Sequence, residues 1–169
     1  MKLPIISLFA AVVLASCGSS RTSTNTSAAY GLPVVIRSDF EAQYPTATNV
    51  TWSKFDYATT PIDWELTDWS SMDNNDYVVQ FDMGSDKMYS WYDETGHWIG
   101  TAYAVANNSM LPSAINTTLT SNYSGYTIES VQKEMWKDKT AYEIKMKNGD
   151  ARKKVLIDMN GTVLKEKDK

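Results

Sequence analysis

Residues 142–149 read Tyr-Glu-Ile-Lys-Met-Lys-Asn-Gly, and residues 77–84 read Tyr-Val-Val-Gln-Phe-Asp-Met-Gly. In the later stretch, and less strictly in the earlier one, apolar and polar side chains alternate. That is the period of a strand with one face in a core and the other turned away from it. Asn148-Gly149 tolerates the positive φ of a tight hairpin turn. Working outward, Tyr77, Val79, Phe81, Gly84, Asp93 and Gly96 match Tyr142, Ile144, Met146, Gly149, Asp158 and Gly161 at a constant offset of 65. Asp93-Glu-Thr-Gly96 and Asp158-Met-Asn-Gly161 read as the next turns along. Upstream the offset becomes 79: Leu32-Pro33 matches Leu111-Pro112, and Ile36, Phe40 and Tyr44 match Ile115, Leu119 and Tyr123. Apolar residues at i, i+4 and i+8 form one stripe of a short helix. Pro near the first turn opens that helix, and Pro45 or Gly125 would end it.

The expectation is an α+β fold of two tandem units, each a helix followed by a four-stranded antiparallel meander, with the helices on one face of a curved sheet. A meander alone cannot bury its apolar side, so the helices must cover it. Tyr77, Val79, Phe81, Tyr142, Ile144 and Met146 would face the helices. Val78, Gln80, Asp82, Tyr89 and Trp91 in the first unit, and Glu143, Lys145, Lys147 and Lys154 in the second, would lie on the opposite face, left open to water. The change of offset places an insertion in the first unit, within Phe55–Asp76.

The chain start carries an address. Lys2 precedes the mostly apolar stretch Leu3–Leu14, too short to span a bilayer but suited to a secretory signal. Leu14-Ala15-Ser16-Cys17 resembles a bacterial lipobox, which implies cleavage before Cys17 and lipidation of that residue. Several acyl chains on one Cys would give stable anchoring. Residues 18–29, GSSRTSTNTSAA, read as a flexible tether. The expected division is signal peptide 1–16, tether 17–30, first unit 31–106 and second unit 107–169. The absence of an acidic cluster after Cys17 favours an outer-membrane anchor facing the periplasm.

Leu-Pro, a helix ending in Tyr-Pro, a Trp-bearing strand and the Tyr-x-Val-x-Phe…Gly…Asp-x-x-Gly meander resemble the PepSY-like, beta-lactamase-inhibitor-like (BLIP-like) lipoproteins of Bacteroidetes. The resemblance covers about residues 32–166. It implies the tandem α+β fold and protein binding or inhibition, and it brings no cofactor and no catalytic residue.

Composition narrows the chemistry. The 169 residues hold 16 Lys+Arg and 20 Asp+Glu, one Cys and one His. A single Cys excludes a disulfide framework and a CxxC metal site, and a lone His excludes His-pair metal sites. The net charge of -4 argues against a nucleic-acid binder. His97 sits beside Gly96 at a hairpin tip, no GxSxG occurs, and Asp73-Asn-Asn-Asp76 lacks the ligand spacing of an EF-hand. The reading is therefore no enzyme, no cofactor and no metal.

Charge is uneven: residues 31–106 carry 12 acidic and 3 basic groups, while 107–169 carry 8 acidic and 11 basic. Five of six Trp lie in the first unit. Trp52, Trp98 and Trp136 fit core positions. Trp64 and Trp69 lie among Asp63, Glu65, Asp68, Asp73 and Asp76, a composition common at binding surfaces. Two readings stand. In one, Asp63, Trp64, Glu65, Asp68 and Trp69, with Tyr89 and Trp91, contact a protein or peptide partner. In the other, the Trp side chains fold back on Phe55 or Tyr57, with an added strand over Asp63–Leu66. The expected function is a monomeric, lipid-anchored, protein- or peptide-binding module of the cell envelope. A carbohydrate binder using the same aromatics is the alternative, and a hydrolase a remote one.

Overall fold

The computed structural model describes residues 32–60, 62, 64–67 and 72–169. The signal peptide, Cys17 and the tether lie outside the described residues, as do Asp63, Asp68 and Trp69. Helix α1 (Val34–Gln43) leads into β1 (Thr48–Lys54), β2 (Tyr77–Met83), β3 (Asp86–Tyr92) and β4 (Trp98–Ala104). Helix α2 (Ser113–Asn122) leads into β5 (Thr127–Trp136), β6 (Lys139–Asn148), β7 (Ala151–Asp158) and β8 (Val163–Asp168). Among the described residues, these eight strands form one antiparallel sheet in chain order. The two halves are joined within that sheet, since Thr101 to Ala104 of β4 pair with Met135 to Gln132 of β5. Among the described residues, β1 and β8 are the strands that lack a second neighbour.

Local chemistry sets the boundaries. Pro33 and Pro112 stand immediately before the first helical residue, where a missing N–H costs nothing. Tyr44 precedes Pro45, which disfavours a helical conformation for it, and its ψ of 64° ends α1. Gly84 (φ 64°) and Gly149 (φ 58°) occupy the β2–β3 and β6–β7 turns.

Corresponding elements begin at the offsets noted in the sequence: α1 and α2, and β1 and β5, 79 residues apart, β3 and β7, and β4 and β8, 65 apart. The irregular register between Thr48 and Thr51 has its counterpart between Ile128 and Ser130, and that at Trp91/Tyr92 at Leu156/Ile157.

Both helices cover the same sheet face. Ile36 and Phe40 pack with Val50, Trp52, Val79, Phe81, Met88 and Tyr92. Ile115 and Tyr123 pack with Val131, Tyr142, Ile144, Met146, Val155 and Ile157. Each large apolar side chain so enclosed contributes about 1.5–3 kcal/mol. Trp52 and Trp136 are buried. Trp98 is half-buried, its indole N–H donating to Ser90 Oγ and Thr101 Oγ1 at 3.0 Å.

The second face departs from expectation. It is not left to water: the segment between β1 and β2, residues 55–76, lies against it through its described residues. Phe55 and Ile62 pack on Trp91 and Ala102, with Val78, Tyr89 and Ile99 around them. Leu66 packs on Trp136, Ala141 and Leu156 of the other half. The cause is the apolar load of that face, which Trp91, Ile99, Ala102, Trp136, Ala141 and Leu156 make too greasy to leave solvated. Glu143 and Lys154, expected in water, are buried there. No strand forms at the described residues between 62 and 67.

Candidate functional site

The segment over residues 55–76, called the strap below, carries most of the candidate contact residues. Its course is held at three places. Phe55 continues from β1 and donates its N–H to Asp76 O, so the strap's two ends meet. Trp64 is half-buried, edge-on to the Trp91 ring with centroids 4.0 Å apart and planes at 81°. Leu66, 5 % exposed, fills the space between Trp136 and Leu156.

Trp91 is wholly buried, so it has no ring face for a ligand to stack on. This corrects its placement on an open surface. Tyr89 lies beside it, the rings stacked at 6.1 Å and 25°, but remains half-exposed. Of the two sequence readings of Trp64, the structure has it folded back, against Trp91 and the cluster that includes Phe55. Phe55 and Tyr57 pair with each other, and Tyr57 stays 76 % exposed.

Glu65 is committed within the chain. Its carboxylate accepts from Lys154 Nζ at 2.7 Å and from Lys167 Nζ, and Lys169 Nζ stands 3.0 Å away. Lys154 beside it, with Lys167 and Lys169, holds this carboxyl well below the usual carboxylate range. Lys154 is only 2 % exposed and also lies 3.6 Å from the buried Glu143. A buried ammonium needs such neighbours, because stripping its water costs several kcal/mol. These partners are 89 and 102 residues from Glu65 in sequence. Nothing local in the sequence marks them.

A groove of about 190 Å³ opens where the strap meets β1, β2 and β3. The hydroxyls of Thr51, Ser53, Thr59 and Thr60, the amide of Gln80 and the ring of Tyr89 line it. Such walls offer donors and acceptors with no fixed charge and one aromatic edge. Alternation puts Tyr89 and Gln80 on a shared face, but the groove's far wall is strap, Thr59 and Thr60, which no periodicity places.

Elsewhere, His97 belongs to a turn. Its ring Nδ1 lies 2.7 Å from Thr95 Oγ1 and 3.3 Å from Asp93 Oδ2, and the side chain is 84 % exposed. Asp73 and Asp76 likewise bind turn N–H groups, of Asn75 and Asp73. Among the described residues no group of three His, Cys, Asp or Glu side chains converges.

A family model described as "Putative beta-lactamase-inhibitor-like, PepSY-like" matches residues 75–165. Solved structures of similar fold include a BLIP-like protein from Bacteroides fragilis, with TM-score 0.64 and 20% identity over 81% of this chain and 87% of that one. A DUF2874 family protein from Bacteroides uniformis superimposes with TM-score 0.62 and 17% identity, covering 81% and 89%. A Bacteroides eggerthii protein described as "putative periplasmic" gives TM-score 0.60 and 18% identity, covering 80% and 88%. No curated protein matches the sequence.

Proposed function

The chain belongs to the PepSY-like, beta-lactamase-inhibitor-like family, and on that premise we propose that it is a non-enzymatic protein- or peptide-binding module, inhibitor-like in action. The groove between strap and sheet carries this reading: a rigid floor of three strands, neutral polar walls and the accessible edge of Tyr89 suit an inserted loop or peptide. Tyr89 is the proposed anchor. Asp63, Asp68 and Trp69 remain proposed contacts. Trp64 and Glu65 act one step back by fixing the strap that forms the groove's outer wall.

The test is crosslinked capture from cell envelopes, identification of the partner, and titration of the purified pair. Tyr89→Ser with Gln80→Ala should weaken that pair by tenfold or more. Unchanged affinity would remove the groove from the account. The hydroxyl-rich walls also favour a second reading, a carbohydrate ligand. Saturable quenching of Trp fluorescence by a sugar and not by peptides would select it. A hydrolase stays the remote alternative, tested by turnover of ester, peptide or glycoside substrates.

The same proposal includes lipid anchoring at Cys17 in the envelope, on the periplasmic side of the outer membrane. The lipobox-like Leu14–Cys17 supports it, as does a fold shared with a protein described as periplasmic. Among the described residues no helix is long and apolar enough to cross a membrane. Acyl labelling and membrane fractionation of Cys17→Ser check it, with loss of both label and membrane retention expected. Finally, we read the chain as one helix-plus-meander unit used twice. The paired element starts and paired register irregularities support this reading.

A further inference from the structure

The strap-side face of β6, β7 and β8 carries cations in a grid. Lys145 of β6 stands opposite Lys154 of β7, and Lys154 opposite Lys167 of β8. One step along, Lys147 stands opposite Arg152, and the Lys169 N–H donates to Arg152 O. Two rows of three cations therefore lie side by side on one sheet face. Lys153 is not among them: it points to the helix side and pairs with Glu166 and Asp168.

Like charges placed directly opposite across strands are destabilising. A sheet that stacks six of them needs compensation, and the structure shows how it is made at the inner row. Glu65, a carboxylate on the irregular strap, touches Lys154 and Lys167 of that row and reaches Lys169 at the end of the outer one. The rest of the outer row is served more thinly. Glu129 lies 3.7 Å from both Lys147 and Arg152, whose side chains are 50 % and 64 % exposed. Lys169 is 43 % exposed.

We propose that this grid is a second docking surface, and that its ligand is an acidic segment of a partner polypeptide, laid over β6–β8 beside the strap. The inner row already holds a carboxylate presented by a non-helical chain segment, so the seat and its chemistry are both in view. Rows two residues apart are separated by roughly 6.8 Å, the interval between same-face side chains of a strand. With Glu65 already seated on the inner row, an extended segment with acidic residues at alternate positions, laid beside the strap, sets its carboxylates over the exposed Lys147 and Arg152 of the outer row. Exposed lysines on flexible stems also draw such a partner over distance. This inference rests on the protein-binding reading and names the partner's chemistry.

The experiment titrates the intact protein with a labelled peptide of alternating Glu and Ser. Parallel arms use an alternating Lys and Ser peptide, pyrophosphate, and phosphatidylglycerol vesicles. The Glu peptide should bind saturably at low salt and weaken as salt screens it. Lys147→Ser with Arg152→Ser should reduce its affinity at least tenfold. Both positions are exposed, and an unchanged thermal melt shows that the fold is kept. Lys147→Glu with Arg152→Glu should transfer binding to the Lys peptide. Undiminished Glu-peptide affinity in the serine variant overturns the inference. So does binding of pyrophosphate or vesicles without the peptide, or self-association through the acidic first half, detected by sedimentation. If a groove partner binds wild type and serine variant alike while the peptide binds neither, only the grid falls. If no protein partner binds wild type, the underlying reading falls.

Discussion

At the scale of single residues, Glu65 and Gly161 show how distant parts of the chain constrain each other. Lys154, Lys167 and Lys169 hold the Glu65 carboxyl well below the usual carboxylate range. A depressed carboxylate contributes stability that is fully present above the unfolded-state value and fades as pH falls through the folded-state value. Glu65→Gln should therefore lower the melting temperature at neutral pH, and its deficit relative to wild type should shrink steadily below about pH 4. Melts from pH 7 to pH 2 check this, and a deficit independent of pH would refute a stabilising role for the Glu65 ion pairs. Gly161 has φ 84°, and a Cβ there would lie 2.7 Å from Ala114 O and 2.9 Å from Thr118 Oγ1. The same approach lets Thr118 Oγ1 donate to Gly161 O at 2.6 Å. Gly161→Ala should cost roughly 2–5 kcal/mol, combining strained φ with overpacking. Gly149→Ala, with φ 58° and open space around the Cβ, should cost about 1 kcal/mol. Urea unfolding of both variants compares them directly.

At the scale of elements, the strap decides what the molecule shows to its surroundings. Leu66 is the strap's anchor in the second half, so Leu66→Ala should cost about 2–4 kcal/mol if the site cannot collapse. It should also open the strap to limited proteolysis before the sheet unfolds. Cleavage of variant and wild type at the same rate would contradict this. The helices and strands were legible in the sequence because their signals are local: Pro33 before Ile36 and Phe40, alternation from Tyr142 to Lys147, glycine at 84 and 149. The strap was legible only as an insertion. Its side chains follow no period, and what fixes them is contact with Trp91, Trp136 and Lys154, far away in the chain. Alternation also assigned Trp91, Glu143 and Lys154 to the correct face, but a face assignment says nothing of what covers it. The cation grid escaped for a related reason: Lys145, Lys154 and Lys167 align only once the register of three strands is known.

At the scale of the whole molecule, β4–β5 pairing and the strap's grip on Trp136 tie the halves together twice, once within the sheet and once across it. Unfolding should then be a single transition. Tryptophan fluorescence, dominated by the five Trp of the first half, should coincide in urea with far-ultraviolet dichroism, which reports both halves. Two separated midpoints would show independent halves. The two outermost strands have one more consequence. β1 is broken in register near Asn49, which holds φ 52°, and β8 ends in Lys165, Glu166, Lys167 and Asp168. Kinked on one rim and studded with alternating charge on the other, such margins are poor templates for neighbouring chains. Crowded copies should thus stay individually dispersed instead of zipping into fibrils.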